Sequence, residues 1–213
     1  MQVPLSHQTD IAGFHGEATR LLAQQVPPDI VEWSAADPRD FAEESVEDER
    51  ATIRSRAARA IIPQSFVRMS ELVVLHRDPQ RFDLLYRSLW RLVYEPELKH
   101  DRRDADLAHL RQMAQSVRRD IQKMRNRVIF RPLQVKGQVV HAAWYEPVHL
   151  VTENVGAVLA KQDRALPWML LTPDRCLHWD GARLLSAPGL KKPLRLRGTD
   201  DEWIAAISEL PWA

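Results

Sequence analysis

Cysteine is almost missing from this chain of 213 residues. Cys176 stands alone, which excludes a disulfide framework and any Cys-based structural zinc site and suits a reducing compartment. Long apolar runs are missing too: no stretch approaches the ~18 residues that a membrane-spanning helix needs. Residues 1–10 carry neither a basic start nor an apolar segment, so no secretory signal is expected, and the expected location is cytoplasmic. Net charge is scarce, at +1, and with 45% hydrophobic residues this excludes a chain disordered throughout. Internal repeats, low-complexity tracts and a catalytic motif that stands alone are also lacking.

The small net charge hides two opposed blocks. From Asp29 to Arg50 there are nine acids (Asp29, Glu32, Asp37, Asp40, Glu43, Glu44, Glu47, Asp48, Glu49) against Arg39 and Arg50. From Arg102 to Arg131 there are nine bases against Asp104, Asp106 and Asp120. A basic block of that size can hold phosphates, because each contact releases condensed counterions. The other reading is a solvated helix face neutralised by the acidic block of the same chain.

Periodicity predicts a helix from Asp10, a capping residue, to about Gln25, with Phe14, Ala18 and Leu21 inward. Residues 34–50 read as a loop or linker, and Arg50–Arg59 as a short amphipathic turn. Helices follow at Ser65–His76, behind Pro63, and at 79–94, where Phe82, Leu85, Leu89 and Val93 are expected inside. Asp104 opens the clearest element. Leu107, Leu110, Ala114, Val117, Ile121 and Met124 form a heptad-like seam reaching Arg125, with Arg111, Arg118 and Arg125 on one ridge and Arg119 and Lys123 on the next. The period then shortens. Val128–Leu133 and Val139–Tyr145 around Lys136-Gly137 read as a hairpin, Pro147 to Gln162 as a helix, and Trp168–Thr172 with Cys176–Trp179 as a second hairpin.

The expected fold class is α+β: a central helical bundle packed with a small antiparallel sheet, strand–strand–helix–strand–strand, in the C-terminal half. One domain is expected over 1–213, with an N-terminal helix (1–33), linker (34–60), helical region (61–127), hairpin–helix–hairpin (128–185) and tail (186–213).

Candidate chemistry is sparse. His76-Arg77-Asp78 matches a kinase catalytic-loop triplet, but Asp83 stands where that motif needs Asn, and no Gly-rich loop exists. The eight histidines show no zinc spacing, so neither a metal site nor a cofactor is expected. Cys176, inside a strand, reads as a buried small hydrophobe. Trp144 and Trp179 lie on strands and offer either a base-stacking platform or core aromatics. Asp120, Glu146 and Asp180 are weak acid–base candidates. Asp120 is expected to pair with Lys123 or Arg119, and Glu146 to favour the positive end of the helix after it.

Four strings carry a resemblance. Arg68–Arg91 reads RMSELVVLHRDPQRFDLLYRSLWR, Val117–Met124 VRRDIQKM, Ala143–Pro147 AWYEP and Leu171–Gly181 LTPDRCLHWDG. In this order and approximate spacing they resemble a bacterial domain-of-unknown-function family labelled as DNA-metabolism or DNA-repair proteins. Its members are fused to a uracil-DNA-glycosylase-like domain or encoded beside a DNA-repair radical-SAM protein. The resemblance implies a repair setting, with DNA and one of those proteins as partners. The family carries His where Gln122 stands here, which weighs against a catalytic role at that position.

The expected function is a DNA-metabolism accessory protein that binds nucleic acid or a repair enzyme. Arg111, Arg118, Arg119, Lys123, Arg125, Arg127 and Arg131 would contact phosphates, and Arg77, Arg87 and Arg91 would extend that surface. Two alternatives stand beside it. One is a docking subunit whose basic ridge meets an acidic protein. The other is a base-lesion-processing enzyme using Asp120 or Glu146 with Trp144 and Trp179.

Overall fold

A computed structural model describes residues 1–35, 44–45, 63–101, 103–135, 137–162, 166–191, 194–195 and 198–212. The chain forms two compact units, one drawn from residues 1–36 and 48–119, the other from 37–47 and 120–213.

The first unit is helical. Strand β1 (Gln2–Leu5) pairs in parallel with β2 (Glu32–Ala35), and Val3 and Leu5 turn into the core. Neither strand was expected: each has four residues, and thirty residues separate the paired positions. Helix α1 (Ile11–Ala23) opens on Asp10, whose carboxylate accepts the Gly13 N–H at 2.7 Å and the Ser6 N–H at 3.1 Å. Gln25, at φ 55°, takes the left-handed turn that ends it. Helices α2 (Gln64–Val73), α3 (Arg81–Tyr94) and the first part of α4 (Ala105–Arg127) complete the unit. The core packs Phe14, Leu21, Val73, Leu85, Tyr86 and Leu110 at zero exposure. Trp33 lies 4.9 Å from Phe14 and 5.8 Å from Tyr86, ring to ring.

Two devices hold α3. Arg81 is buried and donates to the carbonyls of Val74 (2.9 Å), Asp78 (2.9 Å) and Gln8 (2.6 Å), with its guanidinium 4.4 Å over the Phe82 ring. Burial brings its pKa down to about 10. At the other end Arg87 clasps Asp106 through two bonds of 2.8 and 3.0 Å. Arg91 reaches Asp104 at 2.8 Å, Asp106 at 3.1 Å and Glu95 at 3.3 Å. These pairs fasten the start of α4, where Asp104 caps the helix by accepting the Leu107 N–H at 2.9 Å.

The second unit contains a six-stranded sheet in the order β3 (Glu44–Ser45), β8 (Leu184–Pro188), β7 (Arg175–Trp179), β6 (Trp168–Leu171), β5 (Gln138–Trp144) and β4 (Arg131–Val135). The α+β class is observed, but the sheet is mixed rather than antiparallel. Helix α5 (Thr152–Gln162) crosses from β5 to β6, and that crossover makes the two strands parallel, His141 opposite Trp168 through Trp144 opposite Leu171. The 186–213 stretch, expected as a tail, carries most of β8 and helix α6 (Asp200–Ser208). Trp203 and Ile207 of α6 are fully buried in a cluster with Trp144, Leu171 and Cys176. Gly156 lets α5 lie close to the sheet, since a Cβ there would strike the Leu177 side chain. The 34–50 loop, apart from residues 34–35 and 44–45, the Arg50–Arg59 turn and Lys136 lie outside the described residues.

Candidate nucleic-acid interface

Helix α4 follows its seam. Leu107, Leu110, Ala114, Val117 and Met124 are buried and Ile121 is half-buried. With that stripe inside, the helical period puts the cations outside: Arg111, Arg118, Arg119, Lys123, Arg125 and Arg127 are all exposed. Arg111, Arg118 and Arg125 recur every seven residues along one edge of the exposed side, and Arg119 and Lys123 follow the other. Gln115, Gln122 and Asn126 lie exposed in the strip between these ridges. Among the described residues, no carboxylate forms an ion pair with Arg118, Arg119, Lys123, Arg125 or Arg127.

The other basic residues singled out in the sequence are placed differently. Arg87 and Arg91 are engaged by Asp104, Asp106 and Glu95 as described, and Arg77 is exposed. Asp106 is held below the usual carboxylate range, first by its bond from Arg87. Arg131 pairs with Asp200, donates to the Gly198 carbonyl at 3.0 Å and lies 5.2 Å over the Trp203 ring, fastening α6 to β4.

Asp120 does not pair with Lys123 or Arg119. It occupies the buried side of α4, and its Oδ2 accepts the backbone N–H of His149 at 2.8 Å. The reason is the helical period, which puts Asp120 three residues past Val117 and four before Met124, while both cations fall on the wet side. The carboxylate thereby fixes the loop after β5. The same loop carries Tyr145, whose N–H donates to the Leu171 carbonyl at 3.0 Å, and the exposed Glu146, which accepts from Trp144 Nε1 at 3.1 Å. Burial and the Asp120 charge push the Tyr145 phenol up, against the opposing pull of Arg127. Three of the four strings quoted above therefore meet at the carboxyl ends of β5 and β6.

Asp180 lies at the opposite end of the sheet, in the turn after β7. Its Oδ1 accepts the Ala182 and Arg183 N–H groups at 2.7 Å each, and those bonds lower its pKa. Trp144 and Trp179 are buried, at 7% and 9% exposure, and Trp179 Nε1 has no partner.

A cleft of about 270 Å³ opens in the helical unit, lined by Asp78, Gln80, Asp83, Leu84, Arg87, His109 and Met113. Burial raises the Asp83 carboxyl, with Arg87 pulling the other way. Asp83 entered the sequence reading only as a mismatch to the kinase triplet. His109 carried no local signal, and it joins Asp83 only because α4 passes beside α3.

Two nucleophile arrangements fail on geometry. His15 Nε2 lies 2.9 Å from Ser70 Oγ, but the hydroxyl donates its proton to the Val67 carbonyl at 2.7 Å, so the imidazole is a donor to it rather than a base. Cys176 is fully buried, and burial raises its thiol to about 11. Among the described residues, no three His, Cys, Asp or Glu side chains converge as a metal site would require, and no helix is long and apolar enough to cross a membrane.

The fold and the cationic helix define an α+β protein with a helical unit and a mixed-sheet unit. This chain belongs to the family described as Domain of unknown function (DUF4130), whose profile matches residues 79–198, more than half of its length. The matched span includes α3, all of α4, the cleft except Asp78, and β4 to β8. No curated protein and no solved structure matches it.

Proposed function

We propose that this protein is a cytoplasmic accessory factor of bacterial DNA metabolism that binds nucleic acid along the exposed side of α4. The observation that carries the reading is the row of exposed cations, Arg118, Arg119, Lys123, Arg125 and Arg127, with no carboxylate paired to them among the described residues. The helical period repeats these charges at regular intervals along the exposed side of α4. Contacts of this kind position a nucleic acid without reading its sequence. The DNA-repair setting rests on the four strings, which resemble a family fused to glycosylase-like domains or encoded beside a radical-SAM repair protein. Either protein is then the natural partner.

Fluorescence anisotropy with a labelled oligonucleotide, titrated at several salt concentrations, tests this. With about five phosphate contacts to duplex DNA, affinity falls roughly 500-fold between 50 and 200 mM salt and does not depend on its sequence. Affinity that is flat against salt, or absent at 50 mM, overturns the reading.

A further inference from the structure

We propose that the cleft between α3 and α4 holds one unpaired nucleobase by its amino edge, an inference that rests on the nucleic-acid reading above and gives that binding a base-specific contact. The cleft presents acceptors. Asp78 and Asp83 line it, and the Asp78 carboxylate is oriented by accepting the Gln80 N–H at 2.8 Å. Arg87 also lines it, but its Nε and Nη2 donate to Asp106 at 3.0 and 2.8 Å, so its charge is already balanced. The two aspartates then leave the cleft hostile to a phosphate and receptive to N–H donors. Leu84 and Met113 add apolar surface, and His109 stands exposed at the rim.

A flat ring with apolar faces and N–H groups along one edge satisfies all of these walls together. Asp83 supports the same choice: burial has removed part of the hydration of its half-buried carboxyl, and the Arg87 charge and the backbone N–H groups of Asp83 and Trp33 offset only part of that, so a ligand that brings donors completes its solvation. An amino-bearing base such as cytosine offers its exocyclic N–H₂ to a carboxylate. Thymine turns two carbonyl oxygens toward the same acceptors, with one N–H between them, and is disfavoured. His109 and Arg119 lie about 15 Å apart along α4 at about 1.5 Å per residue and within about a quarter turn of each other, so one side of the helix would carry the base at one end and the backbone further along. An enzyme or factor that handles an extruded base reads it in this way, by hydrogen bonds to its exposed edge.

The test is a titration of the full chain with deoxycytidine and with thymidine, followed by calorimetry and by the imidazole C–H signals of His109, which the H109A variant identifies. Deoxycytidine should shift those signals saturably, and thymidine should bind at least about tenfold more weakly. D83N, close in shape, should weaken deoxycytidine about tenfold, the loss expected for one hydrogen bond to a charged acceptor. Should D83N fail to fold, H109A, at an exposed position, should still cost about threefold by calorimetry. Silent His109 signals, equal binding of thymidine, or unchanged affinity in a folded D83N would each overturn the proposal. If salt-dependent oligonucleotide binding persists while the cleft is silent, only this inference fails; if that binding is absent, the reading it rests on fails first.

Discussion

Helices α3 and α4 are both rich in arginine, and they use it in opposite ways. On α3, Arg81 is sunk among three carbonyls, while Arg87 and Arg91 are closed onto Asp104, Asp106 and Glu95. On the outer side of α4, Arg118, Arg119, Arg125 and Arg127 meet no carboxylate among the described residues. A guanidinium already matched by a bidentate carboxylate must give that partner up before it can hold a phosphate. One facing water gives up only its hydration and counterions. The same residue type is therefore a fastening on one helix and a candidate contact on the other, and what separates the two roles is whether an acid lies within reach.

Four substitutions or conditions test how sharp that division is. The largest effect is expected at Arg81. Arg81→Ala leaves the carbonyls of Val74, Asp78 and Gln8 without their donor inside the core, and urea unfolding should show a loss of about 4 kcal/mol. A loss below about 1 kcal/mol would mean that water or a shifted backbone fills the site. On α4, the triple change R118Q/R119Q/K123Q should lower oligonucleotide affinity about a hundredfold and make the salt slope shallower by about three, with unfolding midpoint unchanged. An unaltered slope would move the contact surface elsewhere.

His15 sharpens the inward half of the comparison. Burial holds its pKa near 4, well below the unfolded value of 6.5. The unfolded chain therefore takes up the proton first as pH falls. The contribution of this residue is complete above pH 6.5 and is lost progressively down to about pH 4. It should cost about 2 kcal/mol between pH 7 and pH 5 by denaturant unfolding. H15Q, which keeps a donor for Ser70, should flatten that dependence; an equally steep profile in the variant assigns it to other groups. The smallest effect is expected from R91Q, which leaves the cleft lining intact. The Arg91 ion pairs are partly exposed, so their loss should cost only about 1 kcal/mol of stability. Oligonucleotide affinity should stay within about twofold of the parent, and a tenfold drop would erase the distinction between the helices.

Much of this architecture could be read along the chain. The α4 seam, its Asp104 cap and its basic ridges follow from spacing alone, as do the β4–β5 hairpin and the burial of Phe14, Phe82, Leu85 and Leu89. The misses share a cause. β1 and β2 are short and find each other across α1; the described part of β3 is Glu44–Ser45; α6 lies in a stretch whose apolar period is too short to stand out. The parallel pairing of β5 with β6 depends on where α5 crosses, which no turn signal encodes. The cleft was not legible either, because Asp83 and His109 belong to different helices.

What the sequence by itself determined is which side of each helix is wet, since the hydrophobic period dictates that locally, and with it the outward placement of the α4 cations. Only the tertiary structure decided which charges are answered. Coulomb attraction between exposed groups fades over a few ångströms of water and salt, so Arg87 and Arg118 become different residues only when folding brings Asp106 to one and no acid of the described chain to the other.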